Sequence, residues 1–228
     1  MMVESNTTCI VNSFFRIDPQ TQKPFFITAF EGFLSQDKEL LPLLCGYFSQ
    51  LNVVLWNNHY KETIDLVYDF KSPLLLLSKH TYNKAIINTL LLYLNLDLTR
   101  NPTIIPEITQ LKLQIIKILL DQIKVAFEGY KKDKGKNEKN EIIVENVCEI
   151  LIEVVEKYYL ITDGKNMLDF ILNQDNINVI MSILIHKSSI SLSVVNLAVV
   201  FMRYYCLSSF NQEDPTNMDL TRKNQERL

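Results

Sequence analysis

Leu40 to Trp56 reads LLPLLCGYFSQLNVVLW, seventeen residues without a charge. Whether this run crosses a membrane or packs inside a helical protein decides the fold class. A membrane span needs about 20 predominantly apolar residues. Here Ser49, Gln50 and Asn52 interrupt the run, and Asn57, Asn58 and His59 close it. The second apolar run, Ile190 to Met202, contains Ser191, Ser193 and Asn196 and meets Arg203. Both therefore predict interior helices of a protein that does not enter a membrane, and Leu40–Trp56 is expected to be one against which most of its neighbours pack.

Composition agrees. The 228 residues are 47% hydrophobic and 21% charged, with a formal net charge of -3, the profile of one large or two small globular domains. A chain that neutralises nucleic-acid phosphates carries an excess of Lys and Arg, which is missing here. The N-terminus, MMVESNTTCI, shows no basic region followed by an apolar core and a cleavage site, so an intracellular protein is expected, cytoplasmic with the nucleus left open. Cys9, Cys45, Cys148 and Cys206 lie far apart, three of them in apolar runs, and predict buried free thiols.

Five Gly and seven Pro fall well below the roughly 12% of an average chain, and hairpin turns need such residues. Every Pro sits where a helix can begin or a connection can run, as at Ser72-Pro73, where Ser can cap and Pro can take the first helical position. Helical periodicity predicts elements at about Thr8–Phe15, Pro24–Ser35, Leu40–Trp56, His59–Phe70, Pro73–His80, Asn83–Asn95, Pro106–Tyr130, Glu141–Thr162, Met167–Leu172, Asn176–Ile185 and Ser191–Ser208. In the seventh, Gln110, Gln114, Lys117, Asp121, Lys124 and Glu128 form a polar stripe, leaving Leu111, Ile115, Ile116, Leu119, Leu120, Ile123 and Phe127 for the core. The eighth is polar only along Glu141, Glu145, Glu149, Glu153 and Glu156. Helices apolar over more than half their circumference need neighbours on both sides. That requirement points to an all-α, HEAT- or armadillo-like solenoid of about ten helices in one domain, residues 1–210. A charged, solvated hinge is expected at Lys131–Asn140, and a polar tail at 211–228.

Catalytic signatures fail on inspection. GYKKDKGKN, Gly129 to Asn137, has five residues between its glycines and Asn137 where a phosphate loop needs a hydroxyl. His59, His80 and His186 are isolated, with no HExxH, no zinc spacing and no GxSxG elbow. No catalytic, cofactor or metal site is predicted. The acidic stripe opposes helix formation by about 0.2–0.5 kcal/mol per like-charged pair. It is either an ordinary solvated face or, at Glu145 and Glu149, a groove edge for a basic partner surface. The aromatic series Phe25, Phe26, Phe30, Phe33 and the set Tyr60, Ile64, Val67, Tyr68 follow helical spacing and predict core packing.

Four pieces, in order, resemble the SAPS-domain family, regulatory subunits of protein phosphatase 6-type Ser/Thr phosphatases. In Leu40–Phe70 the likeness is carried by Tyr47, Phe48, Ser49, Lys61 and Phe70, and in Leu74–Leu94 by Lys79, His80, Ala85, Ile87 and Asn88. Cys148, Glu149 and Ile150 resemble a Cys-Asp-Ile element, and MLDFILNQDNINVIMSILI, Met167–Ile185, resembles the family's Leu-rich helix, loop and next helix. Gln50 stands where that family has Lys, Asn88 where it has Asp, and Ile87 where Met is common; its Trp-Leu helix has no counterpart around Pro106–Ile123. The resemblance implies a non-enzymatic armadillo-like scaffold that binds a phosphatase catalytic subunit, alongside a further scaffold protein, and directs its substrate choice. Ser49, Gln50, Lys61, Lys79, His80, Asn88, Glu145 and Glu149 are the expected partner-binding residues, with polar pairing between helices as their plain alternative. A generic helical-repeat adaptor is the runner-up. A helical enzyme with an assembled pocket is the third hypothesis.

Overall fold

The computed structural model describes residues 12–36, 38–95, 105–132, 138–159, 165–185 and 192–213. Among them it forms ten helices: α1 Phe25–Leu34, α2 Pro42–Asn58, α3 Tyr60–Phe70, α4 Ser72–Leu77, α5 Lys84–Leu94, α6 Ile105–Lys132, α7 Glu138–Tyr159, α8 Lys165–Ile171, α9 Gln174–Ile185 and α10 Leu192–Glu213. The described residues contain no strand, only the isolated bridge Ile17–Pro24. The chain is all-helical, as expected. No described helix is long and apolar enough to cross a membrane. The chain divides into two compact units, Met1–Ile150 and Leu151–Leu228.

Local chemistry sets the boundaries. Pro42 and Pro73 occupy first-turn positions, where a missing N–H costs nothing. Asn83 caps α5, its side-chain oxygen accepting from the amides of Ala85 and Ile86. Ser72 was the expected cap of α4, but Lys71 takes that position with φ 56°. Ser72 instead donates its hydroxyl to the Glu31 carboxylate at 2.5 Å. Both ends of the expected hinge at Lys131–Asn140 are helical. Lys131 and Lys132 close α6, while Glu138 and Glu141 lie in the first turn of α7. Cations at a helix C-terminus and anions at an N-terminus suit the macrodipole, so the charges extend the helices they were expected to end. Residues 133–137 lie outside the described part, as do residues 8–11 of the expected Thr8–Phe15 helix, Cys9 among them, His186 and residues 214–228. Residues 211–213, placed in the expected tail, are the last turn of α10.

In the first unit, α2 packs most extensively on α5, with further contacts linking α1 to α4 and α3, α2 to α3, α3 to α4, and α4 to α5. Phe48 is held between Phe30, edge-on at 4.7 Å, and Phe33, stacked at 4.9 Å. Trp56 meets Tyr93 edge-on at 5.5 Å. Under these rings runs a buried polar chain. The Tyr68 hydroxyl donates to the Tyr93 carbonyl at 2.7 Å, the Tyr93 hydroxyl donates to Asn52 Oδ1 at 2.7 Å, and Asn52 Nδ2 donates to the Phe48 carbonyl at 2.8 Å. Asn52, one of the polar residues that interrupt the apolar run, is therefore the polar joint of the α2–α5 contact.

The buried set of α2 is only Cys45, Asn52 and Leu55. Leu43, Leu44, Tyr47, Val53 and Val54 of the same helix are exposed, Leu43 by 66% and Tyr47 by 61%. The expectation that α2 is an interior helix is thus corrected. It packs along one side, and its charge-free sequence leaves an apolar side facing solvent.

In the second unit, α9 packs on α10. Asn176 is buried and donates to the carbonyls of Phe170 and Ile171, closing the end of α8, while Asn173 Oδ1 accepts from its amide. Val194, Leu197, Ala198, Phe201 and Tyr204 form the buried side of α10.

Removing one end of a buried hydrogen bond leaves the other unsatisfied at a cost of about 1–3 kcal/mol. Asn52→Ala and Tyr93→Phe should each lower the chemical-denaturation midpoint by that order, and the double variant by clearly less than the sum. Additive losses in a double-mutant cycle would show that the two side chains are not coupled.

Candidate functional site

Two places of the first unit stand out, of opposite character. One is the turn between α4 and α5, Ser78 to Asn83. The carbonyl of Ser78 accepts from Gln122 Nε2 at 2.7 Å, and the Thr81 hydroxyl donates to Gln122 Oε1 at 2.7 Å. The Thr81 carbonyl accepts from Asn146 Nδ2 at 2.7 Å. His80 is buried with Nε2 2.7 Å from the carbonyl of Leu34, the last residue of α1, which makes Nε2 the protonated nitrogen. The Tyr82 hydroxyl accepts from the Leu40 amide at 2.8 Å, and Lys139, paired with Glu39, lies over the Tyr82 ring at 4.6 Å. Side chains of α6 and α7 thus grip a turn that in turn grips the end of α1. A fully buried Lys112 completes the set, donating Nζ to the carbonyl of Leu94, the last residue of α5, at 2.8 Å.

Of the expected partner-binding residues, His80 is committed to this framework. Lys79 beside it is exposed on the turn. Gln50, Lys61 and Asn88 are exposed on α2, α3 and α5, and Ser49 is half-buried on α2. Among the described residues no hydrogen bond or ion pair joins these four to one another. Glu145 is half-buried on α7, and Glu149 is ion-paired with Lys84 of α5, which offsets part of the like-charge repulsion along the acidic stripe.

Thr81, Gln122, Asn146 and Lys112 were not anticipated. A signal for them exists. Lys112 lies beside Leu111 and Gln122 beside Ile123, off the polar stripe of α6, and Asn146 adjoins Val147 on the apolar side of α7. Polar residues inside an apolar helical stripe are hydrogen-bonded when buried. Gly129, first glycine of the failed phosphate-loop match, has another use: a Cβ there would stand 2.6 Å from Asn140 Nδ2, so glycine lets the start of α7 approach α6.

The second place is the outward side of α2. Leu43, Leu44, Tyr47, Gln50 and Val54 face solvent with no charge from Leu40 to His59. Ring and stem of Tyr47 offer a large amphipathic contact of the kind that dominates protein interfaces. Gly46 on the same helix has open space where a side chain would project. Chemically, such a face can bind and exclude water, and it holds no titratable group besides the Tyr47 phenol. Among the described residues no group of three or more His, Cys, Asp or Glu is placed to hold a metal ion.

These features define an all-helical protein with an internally braced turn and an apolar outer helix face. Compared with protein-family models, with curated proteins and with solved structures, the chain matches none.

The cysteines differ as their surroundings do. Burial pushes the Cys148 thiol up to about 12, the negative charge of Glu145 adding to it, and burial also raises Cys45. Cys206, expected buried, is exposed. Since the thiolate is the nucleophile, a chain carrying Cys9→Ser should present one fast-reacting thiol to a disulfide reagent at pH 8, and two more only in denaturant. Fast native labelling of Cys45 or Cys148 in peptide mapping would contradict the packing of α2 and α7.

Proposed function

We propose that the chain is a non-catalytic scaffold subunit, a HEAT- or armadillo-like helical array that binds a protein phosphatase 6-like Ser/Thr phosphatase catalytic subunit and directs its substrate choice. The observation that carries this is the outward face of α2, an apolar surface on the helix that also bears the Tyr47-Phe48-Ser49 element of the family resemblance. Exposed apolar patches of several hundred Å² on a soluble protein mark interaction sites. Packing of helices that are close in sequence, α1 to α5 in the first unit and α9 to α10 in the second, is what a stacked-hairpin array requires. In this scheme Tyr47, Leu43 and Val54 anchor the catalytic subunit, and Ser49, Gln50, Lys61, Lys79, Asn88 and Glu145 are polar contacts around it. The hydrolytic chemistry then belongs to the partner, and this chain supplies surface and orientation.

One observation favours a more general adaptor. Phe48 and His80, two of the residues behind the resemblance, are spent on packing against α1. To that extent the resemblance is architectural, and the same α2 face would serve another protein partner.

Co-purification at low salt with a protein phosphatase 6-like catalytic subunit separates the two. The wild-type chain should bind it. Tyr47→Glu and Leu43→Glu should weaken binding at least tenfold, with melting temperatures near wild type because both side chains are exposed. Absence of binding by the wild-type chain would leave the general adaptor, and intact binding by both variants would move the interface off α2.

A further inference from the structure

Ser72-Pro73 has the sequence of a helix start, and the proposed function gives it no role. It is the only Ser-Pro in the chain, and no Thr-Pro occurs: the other six prolines follow Asp18, Lys23, Leu41, Asn101, Ile105 and Asp214. Around it the backbone is strained. Lys71 has φ 56° and ψ -38°, a conformation that residues with a side chain rarely adopt. Ser72 begins α4 although a residue before proline is pushed away from helical geometry. The bond that closes the first turn, from the Leu75 amide to the Lys71 carbonyl, is long at 3.4 Å.

What ties Ser72 to α1 is its hydroxyl, which donates to Glu31 Oε1 at 2.5 Å, while Lys23 holds Glu31 Oε2 at 2.7 Å. Ser72 is half-buried, between the exposed Lys71 and the buried Pro73. This contact depends on a proton. A phosphate ester on the same oxygen has none to donate and carries a charge of about -1.5 to -2 at pH 7. Its oxygens would fall where Glu31 Oε1 now lies, since that atom is 2.5 Å from Oγ. Little nearby offsets the repulsion. Lys23 is already spent on Glu31, Lys71 is exposed where solvent screens its charge, and Pro73 has no N–H to offer the phosphate.

We propose that Ser72 is a phosphorylation site for a Ser/Thr kinase that requires proline after the acceptor, and that its phosphate releases the start of α4 from α1. In the transfer, Ser72 Oγ attacks the γ-phosphorus of ATP held by the kinase. The Oγ–P bond forms, the bond from phosphorus to the ADP oxygen breaks, and the hydroxyl proton passes to the kinase's catalytic aspartate. The acceptor segment must open to enter the kinase, and opening relieves Lys71 of its strained conformation. Repulsion between phosphate and Glu31 then keeps the joint open. The loosening reaches further, because Phe30 and Phe33 of α1 hold Phe48 of α2, the helix with the open apolar side.

The test incubates the full chain in native buffer with Mg-ATP and a kinase of this class, with a peptide of residues 66–79 as the positive control. One phosphate per chain should enter and map to Ser72, and Ser72→Ala should take none. Amides of α1 and α4 should then exchange hydrogen at least tenfold faster than in the unmodified chain. Ser72→Ala, which loses the bond without gaining charge, should change exchange less, and Glu31→Gln should remove most of the effect of phosphorylation. The mapping and the exchange comparison decide the matter even where Glu31→Gln fails to fold. A native chain that takes no phosphate while the peptide does would overturn the site. Phosphate on Ser72 with exchange in α1 and α4 unchanged or slowed would overturn the release.

Discussion

The first unit depends on holding a buried turn. Ser78 to Asn83 must reverse the chain between α4 and α5 in an apolar surrounding, and a buried carbonyl without a donor costs as much as a lost hydrogen bond. Gln122 answers the Ser78 carbonyl and Asn146 the Thr81 carbonyl. The same solution recurs at two helix ends, where the last carbonyls have no partner within the helix. His80 meets Leu34 at the end of α1, and Lys112 meets Leu94 at the end of α5. Apolar burial is non-directional, so Phe30, Leu55, Leu90 and Ile116 could be buried in many arrangements. Hydrogen bonds between residues 18 to 65 positions apart admit few of them. In this unit the polar groups therefore set the register, and the apolar groups supply most of the driving force.

Much of this architecture could be read from the sequence. Scarce Gly and Pro and sustained helical periodicity predicted an all-helical chain, and most boundaries fall within a few residues of those expected. What failed did so for identifiable reasons. The charged segment Lys131–Asn140 reads as a hinge by composition alone, which carries no information about position along a helix. Lysines after Tyr130 and a glutamate before Lys139 sit at the helix ends their charges favour, and the helices run on into them. Ser72 looked like a cap because Ser before Pro commonly is one, but its hydroxyl is drawn to Glu31, forty-one positions away. Burial pushes the Glu31 carboxyl up, yet the hydrogen bonds from Lys23 and Ser72 and the Lys23 charge outweigh it and leave the group below its ordinary value. Local propensity cannot register a partner at that separation.

The candidate site was less legible, because the cues for a packing face and a binding face are the same. The absence of charge in Leu40–Trp56 predicts an interior helix. Charge-free sequence reports only that water is a poor partner for the segment, not which partner replaces it. On α2, three buried residues meet the first unit and the opposite side stays open. The periodicity of apolar residues is 3.6 in either case, so no pattern within α2 tells them apart. Tyr47 and Phe48 are adjacent and similar, yet helical rotation of about 100° per residue sends Phe48 between Phe30 and Phe33 and Tyr47 into solvent.

The contrast between α6 and α10 shows where sequence does carry the distinction. Gln110, Gln114, Lys117, Asp121 and Glu128 give α6 a polar back, and its exposed positions fall there. A helix with such a back has one apolar face, and burial inside the protein satisfies it. Helix α10 has no polar back over Leu192–Met202: Ser193 and Asn196 are too short and too few to cover it. An all-round apolar helix is stable only when surrounded, and in the second unit one side of α10 stays open. The requirement for a further apolar surface is thus written in the composition of α10, while its direction, given by Val195, Val199 and Met202, emerges only once Leu197 and Phe201 are fixed inward.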